Sequence, residues 1–226
     1  MVEKFTLQFL TQLRKNNYRE WFHAHKAEYD KAKLNVLGVT ASLLQEIHKF
    51  DTTIGLPDPR KCLFRIARDT RFSADKSPYK PNFGAIINPE GNTRCELSGY
   101  YLHIEPGNCF VSCGIYMPSP NILKAIRIKI DEEWDAFSAI LKKKAFRDAF
   151  STLVHDEDAL SRVPAGFDKN APAAEFLKLK RFYVMAGLSN KEVTGSDFVK
   201  RAVALYRLML PLNTFLNEAA RQSYGL

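Results

Sequence analysis

Hydrophobic spacing divides the chain into helical, stranded and again helical stretches. Phe5, Phe9, Leu10 and Leu13 recur at the interval of one helix face, with Thr6 placed to cap it. Asn16-Asn17 interrupts that pattern. From Tyr18 a second, long helix is predicted, with Trp21, Phe22, His25, Tyr29 and Ala32 along one side and Leu43, Leu44 and Ile47 continuing it; Gly38 marks a bend inside it. After a Pro- and Gly-bearing connector at 53–59, the period shortens. Short strands are predicted at 63–66 and 83–88, a loop at 73–81, and one more strand at 182–188. Beyond Pro118 the helical period returns. Ser119-Pro120 opens a helix with Leu123, Ile126 and Ile130 as its stripe, and Trp134, Phe137, Ile140 and Leu141 form the next. Phe146 and Phe150 mark a third short helix, and 173–179 another. The final helix starts after Ser196, turns Val199, Val203, Tyr206 and Leu210 inward, and ends or kinks at Pro211.

The clearest element is a β-hairpin, with runs at 99–105 and 109–116 around Pro106-Gly107-Asn108. Side chains alternate along a strand. Tyr100, Leu102, Ile104, Cys109, Val111, Cys113 and Ile115 therefore share an apolar face. Tyr101, His103, Glu105, Phe110, Ser112 and Tyr116 share a mixed one. The first face belongs under helices, and the second is open to a ligand. In the strand at 63–66, Phe64 and Ile66 look inward and send Arg65 the other way. Runs of helix around a group of strands predict an α+β fold: a mainly antiparallel sheet with helices packed on one face. The expected organisation is one domain, helical over 1–52, strand-rich over 60–117 and helical over 118–226.

Composition narrows the partners. The chain has 226 residues, 46% hydrophobic and 26% charged, which is ordinary globular usage and enough for a core without staples. No apolar run reaches the roughly 18 residues that span a bilayer, so no membrane partner is expected. The first residues enter an amphipathic pattern with no signal-peptide core, and cytoplasmic residence is the expectation. Cys62, Cys95, Cys109 and Cys113 read as reduced thiols. A net charge of +8 admits polyanions, nucleic acid among them.

That charge is concentrated. Residues 60–80 carry seven cations (Arg60, Lys61, Arg65, Arg68, Arg71, Lys76 and Lys80) against Asp69 and Asp75, which is +5 of the +8. Arginine presents a planar fork suited to phosphate or carboxylate. Arg65, Arg68, Arg71, Lys76, Tyr79 and Lys80, with Tyr101 from the hairpin, are the candidate ligand-binding residues. The competing reading is an internal ion-pair network with Asp69, Asp75 or Glu105. His103 and Glu105, two apart on one strand face, are candidate proton-transfer groups, with Asp69 to orient an arginine or a metal-bound water. A zinc site built from His103, Cys109 and Cys113 is rejected, because the cysteines fall on the opposite strand face and one metal needs convergent ligands. No phosphate loop, nucleophile elbow or dinucleotide fingerprint occurs, and nothing names a cofactor.

The segment Phe64-Arg-x-x-Arg68-Asp-Thr-Arg-Phe-Ser-x-Asp-Lys-Ser-Pro-Tyr-Lys80 resembles the hallmark of a conserved, uncharacterised family of bacterial and fungal proteins catalogued as a domain of unknown function. Gly99-Tyr-Tyr-Leu-His-Ile-Glu-Pro-Gly107 is similar to its second signature, and Gly114-Ile-Tyr-Met-Pro118 with Ile126-Arg127 to its third. Trp21-Phe22 with Tyr29, Pro164-x-Gly166-Phe167-Asp168, and the run from Pro211 to Asn217 extend the likeness over nearly the whole chain. Ser112-Cys113 departs from the small residues that the family tends to carry before Gly114. The resemblance implies a single-domain architecture and supplies no activity, cofactor or catalytic residue. The reading is therefore a binding protein for a small phosphate- or carboxylate-containing ligand, with an enzymatic reaction left open. The alternative is a non-catalytic nucleic-acid or protein interaction module that uses the same basic segment.

Overall fold

The computed structural model describes residues 1–71 and 74–224; Phe72 and Ser73, which belong to the longest motif and the start of its predicted loop, lie outside the described residues. Helix α1 (Lys4–Lys15) buries Phe9, Leu10 and Leu13, as its spacing predicts, while Phe5 is half-buried and Leu7 takes the core position in the first turns. Thr6 does not cap it. That side chain is buried within the first turn, and its hydroxyl donates to Asn35 Oδ1 at 2.9 Å.

The long second helix is two helices, α2 (Arg19–Ala24) and α3 (Lys26–His48). The break is His25, at φ −106° and ψ 23°. Its ring stacks on Trp21 with centroids 4.0 Å apart, and its Nδ1 lies 2.8 Å from the Trp21 carbonyl. Gly38, the predicted bend, lies inside α3, which runs through it uninterrupted. Asp58 accepts the Arg60 amide and caps the short helix α4 (Pro59–Cys62).

The strand predicted at 63–66 does not form. Among the described residues the ladder contacts here are isolated bridges, Leu63 with Ala85 and, just past the predicted strand, Ala67 with Tyr79. The Phe64 amide donates to the Gly84 carbonyl at 3.0 Å. The chain then changes partner: the Arg68 amide donates to Pro78 at 2.9 Å, and the Lys80 amide donates to Ile66 at 2.8 Å. The segment leaves its neighbour after one pairing and closes on its own return arm, so a two-armed loop replaces a strand.

The strands β1 (Phe83–Ile87), β2 (Gly99–Ile104) and β3 (Cys109–Ile115) are followed by α5 (Pro120–Glu132), α6 (Trp134–Lys142), α7 (Lys144–Phe150) and α8 (Ala174–Leu177). Strand β4 (Phe182–Leu188), α9 (Asn190–Val193) and α10 (Phe198–Gln222) complete the order. The strands make one antiparallel sheet, β1-β2-β3-β4, and the fold is α+β. All seven residues of the hairpin's apolar face are buried. On the mixed face Tyr101, His103, Glu105 and Phe110 are half-buried and Tyr116 is exposed. Ser112 is the exception: it is buried, with its hydroxyl donating to the Val184 carbonyl at 2.7 Å.

The chain forms two compact units. The first comprises Met1–Thr93, Tyr101–Val111 and Gly187–Ala204. In it α3 packs against α1, α4 and β1, and an aromatic ladder runs from Tyr79 to Phe22, Tyr29 and Phe83. The second comprises Arg94–Tyr100, Ser112–Ala186 and Leu205–Leu226. There Phe137 meets Phe176 and Phe215, and Tyr100 meets Tyr206 edge-on. Asn217 clamps the Ser98 backbone, accepting its amide at 2.7 Å and donating to its carbonyl at 3.2 Å. Helix α10 continues through Pro211, with Leu212, Leu216 and Ala219 fully buried beyond it. Burial of that face outweighs the proline's missing donor. Val199 and Leu210, expected inward, are half-buried; Phe198 and Met209 take the core positions. Leu123 likewise yields to Ile122 in α5. Among the described residues no helix is long and apolar enough to cross a membrane.

Candidate functional site

Two polar clusters lie in the first unit. One is built on the two-armed loop. Its return arm is tied down at Tyr79, whose amide donates to Asn17 Oδ1 at 3.0 Å while Asn17 Nδ2 donates to the Tyr79 carbonyl at 2.8 Å. The Tyr79 ring stacks on Phe22 at 3.9 Å. Arg68 pairs with Asp75 and donates to Ser77 Oγ at 3.0 Å. The Ser77 amide, its side chain and Arg68 hold the Asp75 carboxyl below its ordinary range. Arg71 forks onto Asp69 with bonds of 3.0 and 2.7 Å, which lowers that carboxyl to about 2. Lys76 Nζ donates to the Thr70 carbonyl at 2.9 Å.

A cleft of about 530 Å³ opens here, lined by Tyr18, Arg19 and Glu20 at the start of α2 and by Ala67, Arg68, Thr70, Lys76, Pro78 and Tyr79. Three cations and one carboxylate line it, and with Asp75 paired to Arg68 from outside the lining the cations keep an excess of one charge. The charges sit against two phenol rings, a combination that gives an anionic group both a counter-charge and an apolar wall.

The second cluster lies on the mixed face of the hairpin. Tyr101 Oη is 3.0 Å from His103 Nδ1, and His103 Nε2 is 3.1 Å from Glu105 Oε2. Arg14 Nη2 donates to Glu105 Oε1 at 3.0 Å and to the Pro106 carbonyl at 3.2 Å. Asn108 Nδ2 donates to Glu105 Oε2 at 3.0 Å. The imidazole stacks on Phe110 with centroids 4.5 Å apart and rings 11° from parallel. The His103 side chain is 12% exposed, and this burial, with some repulsion from Lys80, pushes it below the usual histidine range despite Glu105. Burial also acts to raise Glu105, but bonds from Asn108 and His103 and the charge of Arg14 outweigh it and hold the carboxyl low. The network thus pairs a neutral imidazole with a carboxylate: Nε2–H donates to Glu105, and Nδ1 accepts the Tyr101 hydroxyl.

The candidate residues named from sequence divide between these clusters. Arg68, Lys76 and Tyr79 line the cleft, while His103 and Glu105 do not. Tyr101, His103 and Glu105 form a continuous chain. Asp69 and Arg71 satisfy each other in an exposed pair, and Arg65 is exposed nearby. Lys80 stands between: its pKa is lowered by burial first and then by Arg65 and Arg68, and its charge reaches His103. Tyr18, Arg19, Asn17 and Arg14 were missed. Arg14 sits in the last turn of α1, where a cation ordinarily complements the helix dipole, and nothing local marks it as the partner of a residue 91 positions away. Asn108 was named only as a turn residue; its place three residues after Glu105 across that turn is the signal that could have found it. Among the described residues no group of three or more His, Cys, Asp or Glu side chains could hold a metal ion.

A family model described as a conserved hypothetical protein (DUF2461) matches residues 5–215, and the chain belongs to that family. Comparisons with curated proteins and with solved structures return no match.

Proposed function

We propose that this DUF2461 protein binds a small phosphate- or carboxylate-bearing ligand in the cleft between the start of α2 and the loop arms. The observation that carries this reading is the lining itself: Arg19, Arg68 and Lys76 against the single carboxylate of Glu20, with Tyr18 and Tyr79 beside them. Arg68 keeps one face of its guanidinium for the ligand while Asp75 and Ser77 orient it. Proton-transfer chemistry by His103 and Glu105 would make the protein an enzyme, and binding does not require it.

Thermal unfolding with inorganic pyrophosphate and with citrate tests the reading. Both ions are expected to raise the melting temperature of the native chain with concentration, and to leave Arg68→Ala and Lys76→Ala unprotected. A second reading, recognition of nucleic acid, is favoured by the exposure of Arg60, Lys61 and Arg65 in the same basic segment. A single-stranded oligonucleotide that binds with a steep salt dependence, while neither small anion protects, would replace the first reading with the second.

A further inference from the structure

The hairpin network includes a hydroxyl, that of Tyr101. Going outward from α1, Arg14 holds Glu105, Glu105 holds His103 Nε2, and His103 Nδ1 accepts from Tyr101. Each link fixes the one beyond it. Arg14 and Asn108 between them occupy both oxygens of Glu105. Glu105 sets the tautomer of the imidazole, and Phe110 sets its plane by stacking. Gly84 provides the seat of the hydroxyl: a Cβ there would lie 2.6 Å from Tyr101 Oη. A carboxylate, an imidazole and a hydroxyl in series are the parts of an activated-hydroxyl relay, in which a third group orients the base and the base takes the proton. Beside this relay sits a cation without a counter-charge. Lys80 is half-buried, its ammonium lies 5.8 Å from the Phe64 ring centroid, and no carboxylate pairs with it among the described residues. Tyr101 meets the same Phe64 ring edge-on at 6.1 Å.

We infer that Tyr101 is a reactive acid–base hydroxyl, activated by His103, in a site for an anionic substrate whose charge is met by Lys80. In the step this geometry supports, Tyr101 Oη takes a proton from the substrate while its own proton passes to His103 Nδ1. The imidazolium formed is paired with the Glu105 carboxylate, and the electron pair left on the substrate gains the field of Lys80. Arg14, Asn108 and Glu105 are positioning residues, which act through His103. This inference does not rest on the anion-binding cleft, whose lining excludes these groups.

Sulfonyl fluorides test it, because their reaction with a phenol uses the same proton path. An O–S bond forms at Oη, the S–F bond breaks, fluoride leaves, and the phenol proton goes to Nδ1. The native chain is treated with phenylmethylsulfonyl fluoride and, separately, with 4-(fluorosulfonyl)benzoate, and modification of each tyrosine is followed by peptide mass spectrometry. Tyr116, 55% exposed and outside the relay, is the internal reference. Tyr101 is expected to react at least about tenfold faster than Tyr116. His103→Gln should abolish that advantage, and Glu105→Gln should reduce it with the histidine still present. The groups that face the imidazole are Tyr101 from its own strand, Glu105 just past the end of that strand, Lys80 from the loop and, through Glu105, Arg14. Their balance puts the acid limb of the Tyr101 rate below the ordinary histidine midpoint of about 6.5. Lys80→Met should remove the preference for the anionic reagent. Tyr101 reacting no faster than Tyr116, or equally fast in folded His103→Gln protein, would overturn the inference.

Discussion

Asn17 and the Tyr79 backbone hold each other's polar groups across 62 residues of chain: the side-chain amide donates to the Tyr79 carbonyl at 2.8 Å and accepts from the Tyr79 N–H at 3.0 Å. This clamp fixes the return arm of the loop to the start of the α2 region. It also sets where Arg68, through the Arg68–Pro78 backbone bond, presents its guanidinium.

Asn17→Ala removes both bonds and leaves the N–H and C=O of the half-buried Tyr79 without these partners. The expected cost is about 1–3 kcal/mol in urea unfolding with an unchanged slope. The Tyr79 amide should exchange with solvent faster than the Ile87 amide of β1 in the same protein.

Arg68→Ala separates binding from folding. Its partner Asp75 is exposed, and pairs of this kind stabilise little. The variant should melt within about 4 °C of the native chain and lose protection by small anions. Collapse of the fold in this variant would identify the loop as an ion-pair lock.

Gly84→Ala is a selective lesion of the relay. The new Cβ meets the far end of the Tyr101 side chain, at 2.6 Å from Oη, and the ring can turn away. The expected loss is about 1 kcal/mol, the worth of one hydrogen bond. Nitrogen-15 shifts of His103 should report a free Nδ1.

Gly114→Ala is expected to be far more damaging. Gly114 has φ +141°, and a Cβ there would lie 2.1 Å from the Phe182 carbonyl oxygen and 2.5 Å from Tyr183 Cα. Backbone cannot step aside as a side-chain tip does. Strain and overpacking together should cost about 2–6 kcal/mol, read as a lowered urea midpoint or loss of soluble protein. The group that approaches this glycine is strand β4, which gives a structural reason for a small residue at this point in the hairpin.

The folded state holds His103 below the usual histidine range, so it resists protonation more than the unfolded chain does. Above about pH 6.5 both states are neutral there and the full stability is present. As the pH falls from that value through the lower folded midpoint, the unfolded chain takes up the proton first and stability is lost. Urea midpoints measured between pH 7.5 and pH 5 should therefore fall more steeply for the native chain than for His103→Gln.

The α+β class, helix α1 and the two faces of the hairpin were legible because periods of 3.6 and 2 are written residue by residue, and burial follows them. The alternation around Pro106-Gly107-Asn108 sorted Tyr101, His103 and Glu105 onto one face without any knowledge of their neighbours. The break at His25, the missing strand at 63–66 and the unbroken passage of α10 through Pro211 were not legible. In each, a contact that the hydrophobic period does not encode goes with the departure: a Trp21 stack four residues back, a switch of backbone partner from Gly84 to Pro78, a buried face beyond the proline. The same holds for the chemistry. The chain by itself determined which cations and which imidazole are available. Tertiary structure alone decided that Arg68 and Lys76 line a cleft with Arg19, that Arg65, Arg71 and His103 are not part of its lining, and that Arg14 completes the Glu105 network. Side-chain pairing across 60 to 90 residues depends on where packing brings two backbones, and no local period encodes that.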